Sequence, residues 1–559
     1  MENMDFDLRS VQEARNLARL GQIATEQLAT YNEEQIDRII RNMVRVAEAN
    51  AVMLAQMAVE ETGFGKVEDK AYKNHMASTL LYDAIKDMKT IGIIAEDPVA
   101  RTMDVADPVG LLMGIVPSTN PTSTAIFKSI IAIKSRNAII FSPHPSAAKC
   151  TQKAASLMYE AAVEAGAPAN VIGCMSMLSM PATDELMHAP EIKMIIATGG
   201  PGMVKAAYSA GKPALGVGAG NSPAYIERTA DVRQAVTNIL ASKTFDYGTI
   251  CASEQSIICE ECNKEAVIAE LKRQGGYFMT PEETEKVCKL LFKNGHSMNA
   301  KFVGRSPFRI ASAAGITIPE NTRVLIGPQG GVGDGYPLSY EKLTTVLGFY
   351  VVKDWHEACE LSIDLLQNGI GHTMSLHTED RNIVLEFSRK PASRILVNTG
   401  SSMGGTGAST GLLPSFTLGC GTYGGSSVSE NVSPLHLINV KKVAYGIKDC
   451  TTLASADPTF NHPELANIAA AAQPAAPAPV MTTSSCGTPI PVPPMPAAPA
   501  AGGYLSPAEY QNGTAGISYS VGCNSCGTGS AAPAASDQPI DAAQLTDMIN
   551  ALVSAMKGE

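Results

Sequence analysis

The chain has 559 residues, of which 45% are hydrophobic and 17% charged, as is usual for a soluble globular protein of two or three domains. A net charge of −11 argues against nucleic acid or an anionic membrane as the main partner. The first ten residues lack the regions of a secretory signal, the apolar run at 109–116 is too short to span a bilayer, and the twelve cysteines form no repeating framework. We therefore expect a cytoplasmic protein with free thiols and with no nucleic-acid or membrane partner.

The first part of the chain predicts helices followed by a parallel sheet. In residues 8–90, apolar residues recur at three- and four-residue spacing, which predicts a helical arm that we interpret as scaffold. From Pro108 onward, helical segments separate four short apolar runs, which are VGLLMGIV, AIIFSP, NVIGCM and MIIAT. Strands that are apolar throughout indicate a parallel sheet covered on both faces, in an α/β layer of the doubly wound type.

Two glycine loops follow strands of this predicted sheet. The run that ends at Thr198 leads through Gly199 and Gly200 into a helix, whose free N–H groups suit a phosphate. A second loop spans 216–221. Ligands of doubly wound sheets bind at the carboxyl ends of strands. The spacing is not G-x-G-x-x-G, so a plain strand-to-helix turn is the alternative for both loops.

A second α/β section is predicted over 226–425. Its strands lie near 255–259, 323–326 and 346–352, its helices near 264–272, 281–294 and 354–368, and a Gly/Ser/Thr-rich loop spans 400–425. The alternating segment at 435–446 predicts a late strand that pairs with another subunit or another domain.

The C-terminal region has a different composition. Residues 463–538 are dominated by Ala, Pro, Gly, Ser and Thr, which predicts a disordered linker. Residues 541–557 place apolar side chains at offsets typical of an amphipathic helix, which docks either on an external partner or on its own core. Cys523 and Cys526 form a lone C-x-x-C without the second pair that zinc requires, so no metal site is predicted.

Cys251 is the strongest candidate nucleophile. It lies in the stretch SKTFDYGTICASEQS, between the glycine turn at Tyr247-Gly248 and the predicted strand at 255–259. A thiol held in a tight turn ahead of a strand is presented rather than packed, and thiolates are strong nucleophiles. The alternative is an inert buried cysteine, because Cys is among the most buried residue types.

Six ordered motifs over residues 8–450 resemble the aldehyde dehydrogenase superfamily. They are PSTNPTSTAIFKSI, KSRNAIIFSPHPSA, ATGGPGMVKAAYSAGKPALGVGAGNSP, FDYGTICASEQ, EKLTTVLGFY and NGIGHT. The resemblance is to the coenzyme A-acylating branch, which includes acetaldehyde and propionaldehyde dehydrogenases of bacterial microcompartments and the related domain of bifunctional aldehyde–alcohol dehydrogenases.

The resemblance implies an aldehyde dehydrogenase-like fold with two doubly wound α/β domains. A helical arm and a domain that binds NAD and coenzyme A would occupy 1–225, and a catalytic domain would occupy 226–425. Oligomerisation strands at 426–450 would support a homodimer or tetramer. The disordered linker would span 451–538, and a helix of the encapsulation type would span 539–559.

The resemblance also implies roles for individual residues. Cys251 would add to the aldehyde carbonyl, Asn120 would stabilise the developing oxyanion together with the Cys251 N–H, and hydride transfer to NAD would leave a thioacyl enzyme. His372 would handle protons, with a structural histidine as the alternative. The implied cofactor-binding residues are Ser118, Thr119, His144, Pro145, Thr198, Gly199, Gly200, Gly218 and Glu341.

One departure from the hydrolytic members of the superfamily has chemical consequences. Those enzymes carry a glutamate base in the loop that matches 216–223, whereas this loop reads GVGAGNSP, with Val217 near the glutamate position. Without a base for water, the thioester would wait for the thiol of coenzyme A. Thr345 stands where proline is usual and Tyr247 where asparagine is usual, and the latter leaves substrate choice open.

The sequence thus predicts reversible oxidation of acetaldehyde or propionaldehyde by NAD and coenzyme A to acyl-CoA and NADH. The setting would be a bacterial microcompartment, whose shell or co-encapsulated enzymes would bind residues 541–557. The alternatives are a hydrolytic NAD-dependent aldehyde dehydrogenase, a reductase of acyl phosphates on the same fold, and a catalytically silent scaffold that assembles through its tail.

Overall fold

The computed structural model describes residues 5–453 and the short segments 481–483 and 489–491. The chain divides into two units, 1–454 and 455–559. In the second unit, Met481–Thr483 pairs antiparallel with Pro489–Pro491, inside the segment predicted as linker. The rest of that segment, the predicted helix at 541–557 and the pair Cys523 and Cys526 lie outside the described residues, so these predictions stay predictions.

The N-terminal arm is helical, as the apolar spacing predicted. Its helices are α1 (Phe6–Leu28), α2 (Glu33–Ala49), α3 (Ala51–Thr62), α4 (Val67–His75) and α5 (Leu81–Ile85), with a π-helical turn at Met76–Leu80. A capping box begins α2: the Asn32 side chain accepts the Gln35 N–H, and the Gln35 side chain accepts the Asn32 N–H. The buried face of α2 contains Ile36, Ile39 and Ile40.

A small antiparallel sheet follows the arm. Its strands are β1 (Gly92–Asp97), β2 (Thr102–Pro108) and β17 (Ile438–Ala444), in the order β1-β2-β17. The predicted late strand therefore pairs with β2 of its own chain. Its residues are almost all exposed, including Val440 and Val443.

The first parallel sheet contains the four predicted apolar runs and one further strand. Its strands are β3 (Leu111–Val116), β4 (Ile139–Pro143), β5 (Ile172–Cys174), β6 (Ile192–Thr198) and β7 (Ala214–Val217), in the order β5-β4-β3-β6-β7. Its helices are α6 (Pro121–Lys134), α7 (Ala148–Glu164), α8 (Met180–His188) and α9 (Pro201–Ser209). Strand order reverses between β3 and β6, and their carboxyl ends form the crevice in which such sheets bind ligands.

The second parallel sheet has seven strands, in the order β10-β13-β14-β9-β8-β15-β16. They are β8 (Ser222–Ile226), β9 (Glu254–Glu260), β10 (Gly276–Phe278), β13 (Val324–Pro328), β14 (Val346–Val352), β15 (Gly371–His377) and β16 (Ala392–Val397), and a separate hairpin joins β11 (Phe292–Lys293) to β12 (Ser297–Met298). The helices are α10 (Val232–Thr244), α11 (Lys264–Arg273), α12 (Pro281–Leu291), α13 (Pro307–Ala313), α14 (Trp355–Leu366), α15 (Arg381–Phe387), α16 (Ser401–Gly405) and α17 (Cys450–Leu453).

The three strands predicted in this section are confirmed as β9, β13 and β14. The sequence did not predict β8, β15 and β16, and α16 lies in the segment predicted as loop. The domain bounds at 225 and 425 stay predictions, and β8 begins slightly before the first of them. None of the described helices is both long and apolar enough to cross a membrane.

Candidate active site

A cavity of about 540 Å³ lies between the carboxyl ends of the first sheet and the amino ends of the second. The predicted site residues that line it are Ser118, Thr119, Asn120, His144, Pro145, Thr198, Gly199, Gly200, Gly218, Cys251 and Glu341. His372 is not among the described residues that line the cavity. The fold therefore gathers almost all of the predicted residues, from six separate stretches of chain, around one space.

A left-handed turn carries Cys251 to the cavity. Helix α10 ends at Thr244 and is followed by the 3-10 turn Phe245–Gly248, in which Asp246, Tyr247 and Gly248 have φ values of 48°, 50° and 77°. A β-carbon on Gly248 would lie 2.9 Å from the Thr344 carbonyl oxygen, so only glycine allows this approach. Three residues after Gly248, the half-buried Cys251 precedes β9.

The Cys251 thiol is protonated at neutral pH in this structure. Burial raises the pKa of Cys251 to about 12, and the Glu341 carboxyl and the Cys420 thiol act in the same direction, while the Arg394 guanidinium opposes them. Because the thiolate is the nucleophilic form, this thiol would have to lose its proton to act as a nucleophile.

Asn120 is the residue immediately before α6, and it lines the same cavity. Its Oδ1 accepts a hydrogen bond from Lys73 Nζ at 2.7 Å. Its Nδ2 donates to the Thr249 carbonyl oxygen at 3.1 Å and to Thr119 Oγ1 at 3.2 Å. Since Thr119 and Thr249 both line the cavity, the amide nitrogen lies at its wall, and an oxyanion there would have to share or replace one of these two acceptors.

The loop that joins the two sheets packs directly against the cysteine. A β-carbon on Gly220 would lie 1.9 Å from the Cys251 carbonyl oxygen, and the Gly220 N–H donates to Glu341 Oε1 at 2.9 Å. Val217, near the position of the missing glutamate, is buried in the cluster that includes Phe245. The loop therefore contributes backbone and apolar side chains to the cavity, and no carboxylate.

Glu341 is the only acidic residue among the described residues that line the cavity. Burial raises the pKa of Glu341 to about 7, although the Gly220 N–H and the ammonium groups of Lys243 and Lys342 act in the opposite direction. At neutral pH this carboxyl group is therefore close to half ionised, with one oxygen already engaged by the Gly220 backbone.

His372 lies behind the cavity wall, at the amino end of β15. It is fully buried, and its Nδ1 pairs with Thr373 Oγ1 at 2.8 Å. Its Nε2 has no partner among the described residues. Burial, with the Arg394 charge, holds the pKa of His372 well below its usual range, so the imidazole is neutral. The structure does not bring His372 to the cavity, and its proton-handling role stays a prediction.

The wall formed by the first sheet has open space around three of its glycines. A β-carbon on Gly199, Gly200 or Gly218 would meet no atom within 4 Å. Gly200 precedes α9 without a side-chain cap. Because Pro201 has no N–H and the Met203 and Val204 N–H groups bond the Gly200 carbonyl oxygen, the N–H groups of Gly200 and Gly202 are the ones suited to a phosphate. His144 Nδ1 accepts the Ser146 N–H at 3.2 Å, and burial lowers the pKa of His144. These open glycines and the uncapped helix suit the phosphates of a dinucleotide cofactor.

A buried charged cluster behind Asn120 was missed by the sequence interpretation. It consists of Lys70 and Lys73 from α4 and Asp246 from the cysteine turn. The two lysines are separated by nearly one helical turn and therefore share a face of α4, which was the available signal. Elsewhere, no group of His, Cys, Asp and Glu among the described residues could hold a metal ion.

Comparisons with known proteins agree with this geometry. A model of the aldehyde dehydrogenase family matches residues 4–277. The bifunctional aldehyde-alcohol dehydrogenase AdhE of Escherichia coli K12 is 48% identical over 442 residues, which cover 78% of this chain and 50% of the relative. The succinate-semialdehyde dehydrogenase (acetylating) of Clostridium kluyveri is 38% identical over 438 residues, which cover 78% of this chain and 96% of the relative.

Two solved structures show the same fold. The acetylating aldehyde dehydrogenase of Geobacillus thermoglucosidasius has 51% sequence identity and a TM-score of 0.78, covering 80% of this chain and 99% of the other. A propionaldehyde dehydrogenase of Rhodopseudomonas palustris, solved with bound CoA and an acylated cysteine, has 26% identity and a TM-score of 0.70, covering 77% and 97%.

The chain therefore belongs to the aldehyde dehydrogenase family, and the predicted aldehyde dehydrogenase-like α/β fold is confirmed. Within that family, the relatives and structures described above are named for acetylating, propionaldehyde or bifunctional aldehyde–alcohol dehydrogenases. The chain spans about half the length of the bifunctional relative.

Proposed function

We propose that the protein oxidises a short-chain aldehyde, acetaldehyde or propionaldehyde, with NAD and coenzyme A to acyl-CoA and NADH, reversibly, through a thioester on Cys251. The observation that carries the proposal is the single cavity that holds a thiol, an oriented amide and open glycine loops, beside a joining loop without a carboxylate. The acylating relatives support the same reaction class.

The residues of the cavity suit each stage of this reaction. Cys251 Sγ adds to the aldehyde carbonyl, and its proton leaves as the new C–S bond forms. The oxygen that gains negative charge is stabilised by Asn120 Nδ2 and the Cys251 N–H. Held against Gly199, Gly200 and Gly218, NAD would supply the acceptor for the hydride that leaves the former aldehyde carbon. The chain is then left with an acyl group in thioester linkage to Cys251.

The second half of the reaction depends on which nucleophile reaches the thioester. The loop at 216–223 has no carboxylate, and Val217 near the expected position is buried and apolar. Glu341, the carboxyl group of the cavity, has its Oε1 engaged by the Gly220 N–H. The joining loop therefore supplies no base for water, and Glu341 is the one carboxyl group among the described cavity-lining residues that could act as one. The thiol of coenzyme A attacks the acyl carbon, the C–S bond to Cys251 breaks, and acyl-CoA forms with the proton returned to Cys251.

NADH formation tests this proposal. We expect acetaldehyde or propionaldehyde to give NADH only when coenzyme A is present, with acyl-CoA as the product, and Cys251→Ala to give none. Cys262→Ala, which changes an exposed cysteine outside the cavity, is the matched control and should keep wild-type rates. Turnover without coenzyme A that yields free acid would contradict the proposal and would identify a base for water, with Glu341 the first candidate.

The assembly of the enzyme is part of the same proposal. The exposed β1-β2-β17 sheet, with apolar Ile93, Val440 and Val443 at its surface, supports a homodimer or tetramer. Residues 541–557 would bind a microcompartment shell or a co-encapsulated enzyme. One structural neighbour, a propionaldehyde dehydrogenase, comes from the fucose utilisation microcompartment of Clostridium phytofermentans.

Co-localisation with shell proteins tests the tail. A chain truncated after Ala535 should lose it, and Leu545→Asp on the apolar stripe should weaken it. Thr546→Asp introduces the same charge at a neighbouring polar position and is the control. Unchanged co-localisation of the truncated chain would argue against the tail as the targeting segment.

A further inference from the structure

Three charged side chains are fully buried behind the cavity wall. Lys70, Lys73 and Asp246 are 2%, 1% and 0% exposed. Lys73 Nζ donates to Asp246 Oδ2, and Lys70 Nζ donates to the same oxygen at 2.9 Å. Burying charges costs several kcal/mol per ion unless partners compensate, and replacing such groups by apolar ones is often neutral or stabilising. Stability alone therefore does not account for the cluster.

The carboxylate at the centre of the cluster is held from several directions. Asp246 Oδ1 accepts the Lys66 N–H at 2.8 Å, and Oδ2 accepts the Thr249 hydroxyl at 2.5 Å. A β-carbon on Gly65 would lie 1.7 Å from Asp246 Oδ1, so the arm fits tightly around it. The position of Asp246 in turn fixes the ammonium groups that bind it.

The cluster makes direct contacts with three residues of the cavity wall, of which Thr249 donates to Asp246 and accepts from Lys73 Nζ at 3.1 Å. Lys73 Nζ donates to Asn120 Oδ1 at 2.7 Å, and Lys70 Nζ donates to the Thr119 carbonyl oxygen at 2.9 Å. An ammonium group is a donor only, so the side of Asn120 that faces Lys73 must be its oxygen. The amide nitrogen is thereby turned toward Thr249 and Thr119, two residues that line the same cavity as Cys251.

The charge of Lys73 adds to this effect. Burial lowers the pKa of Lys73 to about 8, while the Asp246 carboxylate acts in the opposite direction, so Lys73 is mainly an ammonium ion at neutral pH. A positive charge at Oδ1 polarises the amide and strengthens Nδ2 as a donor, as in other chains of buried hydrogen bonds.

We propose that Lys73, held in place by Asp246 and Lys70, is a positioning residue that orients and polarises the Asn120 amide for the oxyanion formed on Cys251. The inference rests on the proposed function, because it assumes that Asn120 stabilises that oxyanion. It gives the helical arm, interpreted from sequence as scaffold, a direct part in building the active site.

A double-mutant cycle tests the proposal. Lys73→Met should lower kcat about a hundredfold, the loss typical of removing one oxyanion donor, and should leave the KM for NAD within about twofold. Asn120→Ala should give a similar loss. The double variant should be no slower than Asn120→Ala alone, because Lys73 acts through Asn120.

Lys134→Met is the matched control, because it also replaces a buried, ion-paired lysine by methionine but does so away from Asn120. Lys134 is 1% exposed and its Nζ pairs with Asp37 Oδ1 at 3.0 Å, as Lys73 pairs with Asp246. It lies at the opposite end of α6 from Asn120, roughly 20 Å along the helix axis. This variant should lose stability and keep its kcat.

Several outcomes would overturn the inference. One is a kcat of Lys73→Met equal to that of Lys134→Met. Another is a double variant whose loss of kcat is the product of the losses in Lys73→Met and Asn120→Ala. If Lys73→Met does not fold, Asp246→Asn takes its place in the cycle, with the same expectation. Wild-type turnover that yields free acid would contradict only the acyl-transfer proposal, since the cycle can be run on that reaction. A wild-type protein that oxidises no aldehyde would overturn both.

Discussion

The two parallel sheets meet the cavity with opposite ends of their strands, and the glycines on the two sides differ in how closely other atoms approach them. The first sheet contributes the carboxyl ends of β3, β6 and β7, where Gly199, Gly200 and Gly218 have open space around them. The second contributes the segments that lead into β9 and β14, and in the joining loop a β-carbon on Gly220 would lie 1.9 Å from the Cys251 carbonyl oxygen.

The difference separates two physical tasks. A cofactor wall needs room and free N–H groups, and glycines supply both by lacking a side chain. A nucleophile needs one fixed position, and close backbone contacts supply it. The same residue type therefore serves binding on one side of the cavity and rigidity on the other.

Replacing one glycine from each side should give the largest difference. Gly220→Ala places a methyl group against the Cys251 carbonyl oxygen, so we expect a more than hundredfold loss of kcat and a loss of roughly 1–3 kcal/mol in the free energy of unfolding. Activity assays and urea unfolding measure the two effects.

Gly218→Ala is the control from the same loop. Its β-carbon meets no protein atom within 4 Å, so stability should stay within about 0.5 kcal/mol of wild type. The KM for NAD should rise, because the methyl group occupies the space of the cofactor wall. Equal effects of the two substitutions on stability would contradict the distinction between open and packed sides.

The reactivity of Cys251 should depend steeply on pH. Since the pKa of Cys251 is raised to about 12, the thiolate fraction rises tenfold per pH unit throughout the range 7 to 9. The rate at which iodoacetamide alkylates Cys251 in the enzyme without NAD should increase about a hundredfold between pH 7 and pH 9. Peptide mass spectrometry measures this rate. A rate that levels off near pH 8 would mean that the thiolate is already formed in the free enzyme.

Tyr247, in the turn that carries Cys251, allows a test with a smaller expected change in stability. Its φ of 50° is left-handed, which costs an ordinary side chain roughly 1–2 kcal/mol and asparagine less. Lys66 Nζ lies 5.5 Å from the Tyr247 ring centroid, a contact worth about 0.5–1 kcal/mol. Tyr247→Asn should therefore stabilise the protein by about 0.5 kcal/mol, the difference between these two effects.

Tyr247→Phe keeps both the ring and the strained backbone, so its urea midpoint should match that of wild type. Destabilisation by Tyr247→Asn would mean that the ring contact outweighs the backbone strain.

The first sheet was predictable because its strands are apolar throughout. Runs such as Leu111–Val116 are buried on both faces, and parallel strands of that kind stand out in a sequence. Strand β15 was not predictable by the same rule. It buries His372, Thr373, Ser375 and His377, and polar residues hide a buried strand.

Cys251 was singled out by its glycine turn ahead of a predicted strand and then by motif resemblance, and not by the rule for sheet edges. The rule that ligands bind at carboxyl ends holds for β3 and β6, whereas Cys251 precedes β9 at its amino end. The cluster of Lys70, Lys73 and Asp246 was missed because charged residues on a helix are usually solvated, and only the tertiary fold shows that these are buried.

The most direct test of the central claim is the mass of the enzyme after reaction with aldehyde and NAD in the absence of coenzyme A. We expect one acyl group on Cys251 that persists until coenzyme A is added and then leaves as acyl-CoA. Loss of the acyl group to water at the same rate without coenzyme A, or turnover with no acyl group on Cys251, would contradict the account.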